Sequence, residues 1–448
     1  MKNVDMLSSS ITKGLLSMTV PIMIMNVMQS LFTIIDMTSL KYFSSDTSVG
    51  AIGVCGTLIT LVTSLLIGVA SGANVVVAKR IGQGKREETG NAVMTAILAS
   101  IAGGLLLMVV GVTFAEFFLR LTNCPEALLP KATSYFKIYF LGVPILMFYN
   151  FCASILRAIG DTKKPMVFII LAGFLKAILT IIFLMFTDMT VEGVAVATII
   201  SQLVAAVLAF ITILRNNDIV HLDFKKIRFY VEELKEMLFL GIPTGLQQSL
   251  YSLANAVIVT AVNSFGANAA TGVSIANQFD GILYQISVAP SLAVMPYVAQ
   301  NAGAREITRV KKIITRAILI TVAFGASFGS LSAIFSGELS SIMSSNPEII
   351  AYSRQKMIII SSTYFICGIN EVIGGILKGL GKPIVPTIST LIYMCIIRFP
   401  WVYLVFPLYR NLSFLYLIWP IGWTLAIITQ LFAYFPAISK LQKQCGCK

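Results

Sequence analysis

Residues 155–165 read Ile-Leu-Arg-Ala-Ile-Gly-Asp-Thr-Lys-Lys-Pro, and residues 376–386 read Ile-Leu-Lys-Gly-Leu-Gly-Lys-Pro-Ile-Val-Pro. Each is an apolar helical run with one basic residue that stops at a glycine and meets a proline within a few residues. The two lie about 220 residues apart, close to half of the 448-residue chain, as an internal duplication requires. The same offset pairs Val77, Ala78 and Gly82 with Val298, Ala299 and Gly303, while Pro21 meets Pro243 one residue out of register. A duplicated apolar chain without a large soluble part is the pattern of a two-lobed membrane transporter.

Hydrophobic residues make up 57% of the chain and charged residues 12%, against about 25% charged in soluble domains. Twelve apolar stretches near the length that crosses hydrocarbon cover 15–38, 50–78, 91–115, 133–158, 165–187, 191–214, 238–262, 271–298, 314–336, 356–378, 386–407 and 414–438. The pattern predicts an all-α polytopic membrane protein with twelve transmembrane helices in two pseudo-symmetric six-helix lobes. Residues 1–214 form the N-lobe and 238–448 the C-lobe. Between them, 215–237 carries Lys225, Lys226, Arg228, Glu232, Glu233 and Lys235 among Phe224, Ile227 and Leu234, as a linker lying on the cytoplasmic face would. Six spans per lobe orient both lobes alike, with the repeat axis along the membrane normal. Pro144, Pro290, Pro296 and Pro400 fall inside spans and are candidate kinks.

The net charge is +13, yet most of the 33 Lys and Arg sit at the termini and in the even-numbered loops. That bias places both termini in the cytoplasm and the chain in a bacterial inner membrane, with lipid and not nucleic acid as the basic clusters' partner. No Gly-x-x-x-x-Gly-Lys-Ser/Thr run exists to cradle a nucleotide. The seven cysteines show no framework spacing; Cys55, Cys152, Cys367 and Cys395 fall within spans, and Cys445 and Cys447 in the tail. His221 is the only histidine, which excludes a histidine-built metal or catalytic centre. No cofactor is implied, and an ion gradient is the remaining energy source.

Leu156-Arg157-Ala158-Ile159-Gly160-Asp161-Thr162-Lys163-Lys164-Pro165 resembles the L-R-x-x-G-D-T-x-x-P motif of the multidrug and toxic compound extrusion transporters. Gln300-Asn301-Ala302-Gly303-Ala304 resembles that family's Q-N-x-G-A element, and Gly193-Val194-Ala195-Val196-Ala197-Thr198 a shortened G-V-x-x-A-A-x-A-T. The likeness runs from about Leu15 to Phe435. It implies twelve helices around a central cavity, and antiport of an organic molecule against protons or sodium ions. It also matches Asp36 to the first-helix aspartate that family members protonate or use to hold the coupling ion.

Asp36, Lys176, Asp280, Glu371 and Arg398 lie deep in predicted spans, where an ionised side chain costs about 2.5–3.5 kcal/mol even on lenient scales. Such residues persist when they pair, line a wet cavity or act. Asp36 lies fifteen residues beyond Pro21, and Thr180 fifteen beyond Pro165; each is about 22 Å along its helix. Lys176 departs from the family, whose fifth span carries Asn there, and Thr180 replaces an Asp. Lys176 lies one turn closer to the cytoplasm with a stem long enough to reach upward, so the leading expectation is an ion pair with Asp36 and the alternative an unpaired Lys176 in the wet cavity. Asn150 and Glu371 hold matching positions in the two lobes, and in the second Glu371 and Arg398 are expected either to clamp one another or to recognise substrate or ion. Asn370 adjoins Glu371, Asp280 is expected to bond across helices, and Asn255 and Gln278 are candidate cavity amides.

These features together point to an antiporter, not an enzyme, exporting small amphipathic cations in exchange for protons or sodium. The alternatives are a flippase for lipid-linked saccharide precursors, a membrane-embedded transferase, and a passive channel.

Overall fold

In the computed structural model, residues 3–43, 46–122, 124–187, 189–223 and 227–444 are described. Phe224, Lys225, Lys226, Cys445 and Cys447 lie outside them, and so do the sequence expectations attached to those residues. The described chain is helical apart from short turns. The helices of the first half are α1 Ile11–Phe43, α2 Asp46–Gly82, α3 Arg86–Thr113, α4 Leu129–Leu141 with Val143–Ala158, α5 Lys163–Phe186 and α6 Val191–Arg215. Those of the second are α7 Val231–Asn263, α8 Ala267–Gly303, α9 Ile307–Ile334, α10 Pro347–Ser362 with Tyr364–Gly379, α11 Ile384–Tyr409 and α12 Leu412–Lys443.

Among the described residues nine of these helices are long and apolar enough to cross a membrane, and the bent pairs α4 and α10 bring the number to eleven. The twelfth, α7, has the length at 33 residues. Its apolar run is diluted by Gln247, Gln248, Ser249 and Asn255, polar groups that a spanning helix tolerates when they face protein or a wet cavity. The chain is a multi-pass membrane protein. Helix α7 begins at Val231, earlier than the 238 expected from sequence, because Glu232, Glu233, Lys235 and Glu236 belong to its first turns. Among the described residues between 216 and 230, Asn217–Val220 is helical.

The chain forms two compact units. One comprises Ile24–Gly245 with Asn3 and Val4, the other Asp5–Met23 with everything from Leu246 onward. Helices α1 and α7 thus each serve both units, α1 giving its first half to the second unit and α7 its first half to the first. In the first unit, Glu233 and Glu236 of α7 hold the end of α2 through Arg80 at 2.9 Å and Lys79 at 2.5 Å. In the second, the Met6 carbonyl accepts from Asn301 Nδ2 at 3.0 Å and from Arg309 Nε at 3.2 Å. The turn before α1 is closed by Asp5, whose carboxylate takes the Leu7 and Ser8 N–H groups. The Ser8 hydroxyl is the main reason its carboxyl is held below the usual range, aided by those backbone N–H groups and by Arg309.

The duplicated stretches end in the same way. Gly160 and Gly381 take positive φ of 86° and 75°. Around them Asp161 N–H reaches Leu156 O at 2.8 Å, and Lys382 N–H reaches Leu377 O at 2.8 Å. This six-to-one bond over a left-handed glycine is a Schellman stop, which satisfies a carbonyl left open by the helix end. In the first repeat the break is reinforced when Asp161 caps α5 through Lys164 N–H at 3.1 Å.

Helix packing in the first unit rests on small residues. A Cβ on Gly68 would overlap the backbone of Gly245, and one on Gly72 the backbone at Met237 and Gly241. Two Gly-x-x-x-Gly runs, Gly68/Gly72 on α2 and Gly241/Gly245 on α7, therefore bring backbones into contact, the arrangement that drives helix association without a hydrophobic force. In the second unit Gly375 and Gly379 of α10 fit against Ser291 and Met295 of α8.

Bends fall where backbone bonding is interrupted. The halves of α4 meet at 46° at Gly142, beside Pro144 as expected. Those of α10 also meet at 46° with no proline; there Thr363 Oγ1 bonds back to Ile359 O at 3.1 Å and Ile360 O at 2.9 Å, a habit that bends helices. Pro290 and Pro296 stay inside the continuous α8 instead of breaking it. Around Pro400, α11 widens to π-helical turns over Leu391–Ile396 and Trp401–Val405.

Gly381 has open space where a Cβ would go, so Gly381→Ala tests backbone strain alone and should lower stability by about 1–2 kcal/mol. Gly68→Val should cost more, about 1–3 kcal/mol or beyond, because the obstacle is backbone that cannot rotate away. Thermal unfolding of the purified variants in detergent measures both; equal midpoints for all three proteins would contradict the packing described.

Candidate functional site

The first unit encloses a cavity of about 470 Å³, within the usual range for small-molecule sites. Asp36 from α1 and Lys176 from α5 face it, and Lys176 Nζ lies 2.5 Å from Asp36 Oδ2. Their side chains are 13% and 21% exposed, so the pair is largely screened from bulk solvent but open to the cavity. Next to it Phe32 meets Phe174 edge-on, with centroids 5.6 Å apart. Gly173 makes the approach possible, since a Cβ there would enter the Phe32 ring. Gln29, Tyr135, Tyr139, Thr198 and Gln202 line the same space. Thr198 closes the Gly193–Thr198 motif, but the other four did not stand out in the sequence, where a lone amide or tyrosine in a span has no distinguishing pattern.

Two residues expected beside this pair are elsewhere. Thr180 is fully buried and outside the cavity lining, and its hydroxyl makes no hydrogen bond among the described residues. Asn150 donates to Leu146 O of its own helix at 2.8 Å and does not line the cavity. Thr180 lies one turn further along α5 than Lys176, beyond Ile169, Ala172, Gly173 and Lys176, the residues of that helix that line the cavity.

The second unit has a cavity of about 360 Å³. Its ion pair joins Asp280 of α8 to Lys356 of α10, with Oδ2 to Nζ at 2.7 Å. Lys356 also donates to Asn277 and lies 5.8 Å from the Trp419 ring centre. Asp280 thus bonds across helices, to a lysine placed by sequence at the edge of its span. The available cue was Asn346-Pro347-Glu348: Asn346 caps α10, accepting from Glu348 N–H at 2.9 Å, which starts the helix at Pro347 and draws Lys356 inside. Gln278 is exposed and outside the lining, while its neighbour Asn277 takes the expected place; one residue turns the side chain by about 100°.

The expected clamp of Glu371 on Arg398 is not formed; among the described residues the two make no ion pair. Arg398 is 1% exposed and donates from Nη1 to Asn255 Oδ1 at 2.6 Å. Its guanidinium carbon lies 5.1 Å from the Trp419 ring centre and 5.5 Å from that of Tyr251. The widened turns of α11 on either side of Arg398 change the direction in which it projects, which straight-helix counting from Pro386 could not supply. Glu371 instead faces a cleft of about 10 Å³ with Gln247 and Gln248, room for about one water. Asn370 turns into a buried amide network, accepting from Gln430 Nε2 at 3.0 Å, while Gln430 also reaches Ser389 Oγ at 3.1 Å. No group of histidine, cysteine or acidic residues suited to a metal ion occurs among the described residues.

Twelve spans, duplicated Schellman stops and a charge-paired cavity inside a helical unit fit a membrane transporter. The MatE family profile matches residues 21–182 and 243–404, and the chain belongs to that family, the multidrug and toxic compound extrusion transporters. The chain is 27% identical over 402 residues to the probable multidrug resistance protein YpnP of Bacillus subtilis, covering 89% of each. It is 23% identical over 405 residues to a Shewanella oneidensis protein named FAD transporter, covering 88% of each. In fold it is similar to a MOP-superfamily transporter of Pyrococcus furiosus, with TM-score 0.91 at 20% identity over 99% of both chains.

Asp36 and Lys176 should prove thermodynamically coupled. In a double-mutant cycle of Asp36→Asn and Lys176→Met, the double variant should be more stable than the sum of the singles predicts, by about 0.5–3 kcal/mol. Denaturation in detergent measures this, and strict additivity would dissolve the pair as an energetic unit.

Proposed function

We propose that the chain is a secondary antiporter exporting small amphipathic organic molecules in exchange for protons, with the Asp36–Lys176 pair as its coupling element. The observation that carries this reading is the 2.5 Å contact itself. A sodium ion bound to Asp36 would sit about 4 Å from a fixed ammonium, at a cost of roughly 4 kcal/mol for an effective dielectric of 20. A proton meets the same field, but it binds as a covalent O–H and needs no coordination shell beside the ammonium. It neutralises Asp36 and releases Lys176 into a polar cavity, where Gln29, Thr33 and Gln202 can take its hydrogen bonds. Two charge states of one cavity, paired and released, then have different affinities for a cargo, and a ligand moves an equilibrium only through such a difference.

The relatives' names support multidrug export as the activity, and the fold supports alternating access between the two membrane faces. The distribution of Lys and Arg supports a cell-membrane location with both termini cytoplasmic.

Efflux of a fluorescent amphipathic dye from proteoliposomes tests the reading. An imposed proton gradient should drive efflux and a sodium gradient should not. Asp36→Asn should reduce driven efflux at least tenfold, to the passive leak. Lys176→Asn should shift the pH optimum or admit sodium dependence; transport by Lys176→Asn that matches the parent in both respects would remove the pair from the cycle.

A further inference from the structure

Each unit pairs a lysine with an aspartate in its cavity, and the coupling proposed above uses only the first pair. The second joins Asp280 Oδ2 of α8 to Lys356 Nζ of α10 at 2.7 Å, and both residues line the 360 Å³ cavity. The Asp280 side chain is 12% exposed, so cavity water reaches it. The two partners are not held equally. Lys356 also donates to Asn277 and lies 5.8 Å from the Trp419 ring centre. Asp280 Oδ1 is buried and accepts no hydrogen bond among the described residues. Breaking the pair therefore leaves the ammonium with partners and the carboxylate without a donor, a loss that an ionised carboxylate feels far more than a neutral one. Nor is the pair what joins the two helices. Before Asp280, Gly272 lies against the α10 backbone at Ile349 and Ser353; beyond it, Ser291 and Met295 of α8 receive Gly375 and Gly379. A buried ion pair adds little net stability, so packing alone gives no reason for it.

We infer that Asp280 is a second proton-binding site, with Lys356 as its counter-ion, so that one transport cycle carries two protons. The inference rests on the antiport reading and sets its stoichiometry. A proton from cavity water forms an O–H bond on the Asp280 carboxylate, while Lys356 keeps its own protons and turns to Asn277 and Trp419. The cavity thereby gains one positive charge, as the first cavity does when Asp36 is protonated. Among the described residues Lys356 is the other charged side chain lining the space. Helix α10 also presents Tyr364, whose hydroxyl donates to the Asp280 main-chain carbonyl at 3.0 Å. Tyr251 comes from α7, Tyr284 from α8 itself, and Trp419, with Tyr416 within electrostatic range, from α12; α9 adds no lining residue. Arg398 stands behind Trp419, 5.1 Å from its ring centre. Tyrosines stay neutral at about pH 7, which leaves Asp280 as the cavity group whose charge a proton changes.

Infrared titration of the full-length protein in phosphatidylcholine bilayers reads protonated carboxyls directly. The parent should show a carboxylic-acid carbonyl band that titrates between about pH 4 and 9, persists in Asp36→Asn, disappears in Asp280→Asn and moves in frequency in Asp280→Glu. In proteoliposomes with the membrane potential clamped at zero, the dye ratio at which net flux reverses then counts protons. Each proton contributes about a factor of ten per pH unit, so a one-unit gradient should give the parent about 100-fold. Asp280→Asn should reverse at about tenfold, and so should Asp280→Asn combined with Lys356→Met, which leaves no stranded ammonium. A parent that reverses at tenfold, or variants that still reverse at 100-fold, would overturn the inference. So would a parent spectrum without a band that responds to Asp280→Glu, a readout that stands even where a variant does not transport. A titrating Asp280 in a protein without proton-driven efflux would sink the antiport reading instead, and proton-driven efflux with a silent Asp280 would sink this inference alone.

Discussion

An ionised side chain inside a hydrocarbon slab survives only when another group compensates its charge, and that requirement organises both units of this protein. Each holds a lysine against an aspartate inside a cavity: Lys176 on Asp36 at 2.5 Å, and Lys356 on Asp280 at 2.7 Å. Removing one member of such a pair leaves the other unpaired, which is far costlier than losing both. In the antiport proposed above the same constraint lets a proton act as a signal, because neutralising one carboxylate changes what its lysine must bind.

The duplication shows how two similar scaffolds acquire different chemistry. Lys176 and Arg398 stand at the same distance from the start of their family repeats, which begin at residues 21 and 243. Ile258 occupies the place in the second repeat that Asp36 has in the first. Without a carboxylate there, Arg398 takes an amide and two rings, and the acid of the second cavity comes from α8 instead. The backbone devices stay alike, with Gly160 and Gly381 closing their helices by the same bond. Backbone geometry is held by the fold, whereas the charges in the two cavities differ.

The small-residue contacts explain why so polar a helix as α7 is held in place. Gly241 and Gly245 pack on α2 by backbone contact, and Glu233 and Glu236 tie its first turns to Arg80 and Lys79. Its later turns are then free to carry Gln247, Tyr251 and Asn255 toward the polar spaces of the second unit. Attachment and function are separated along one helix.

By itself the sequence determined that the chain is helical, duplicated and membrane-spanning, because apolar run length and the glycine stops are local properties. It also brought Asp36 and Lys176 within reach of each other, since Pro21 and Pro165 set a common origin for counting depth, but that the two pair is decided by the structure. Only the tertiary structure decided the rest of the site. Facing depends on rotation, so Thr180, Asn150 and Gln278 have the right depth or neighbourhood but lie outside the cavities. The Glu371–Arg398 clamp failed because π-helical turns on both sides of Arg398 re-aim it, and such turns leave no mark in residue spacing. Lys356 found Asp280 because its helix begins nine residues earlier than hydropathy suggests, and only packing shows which buried charge it meets.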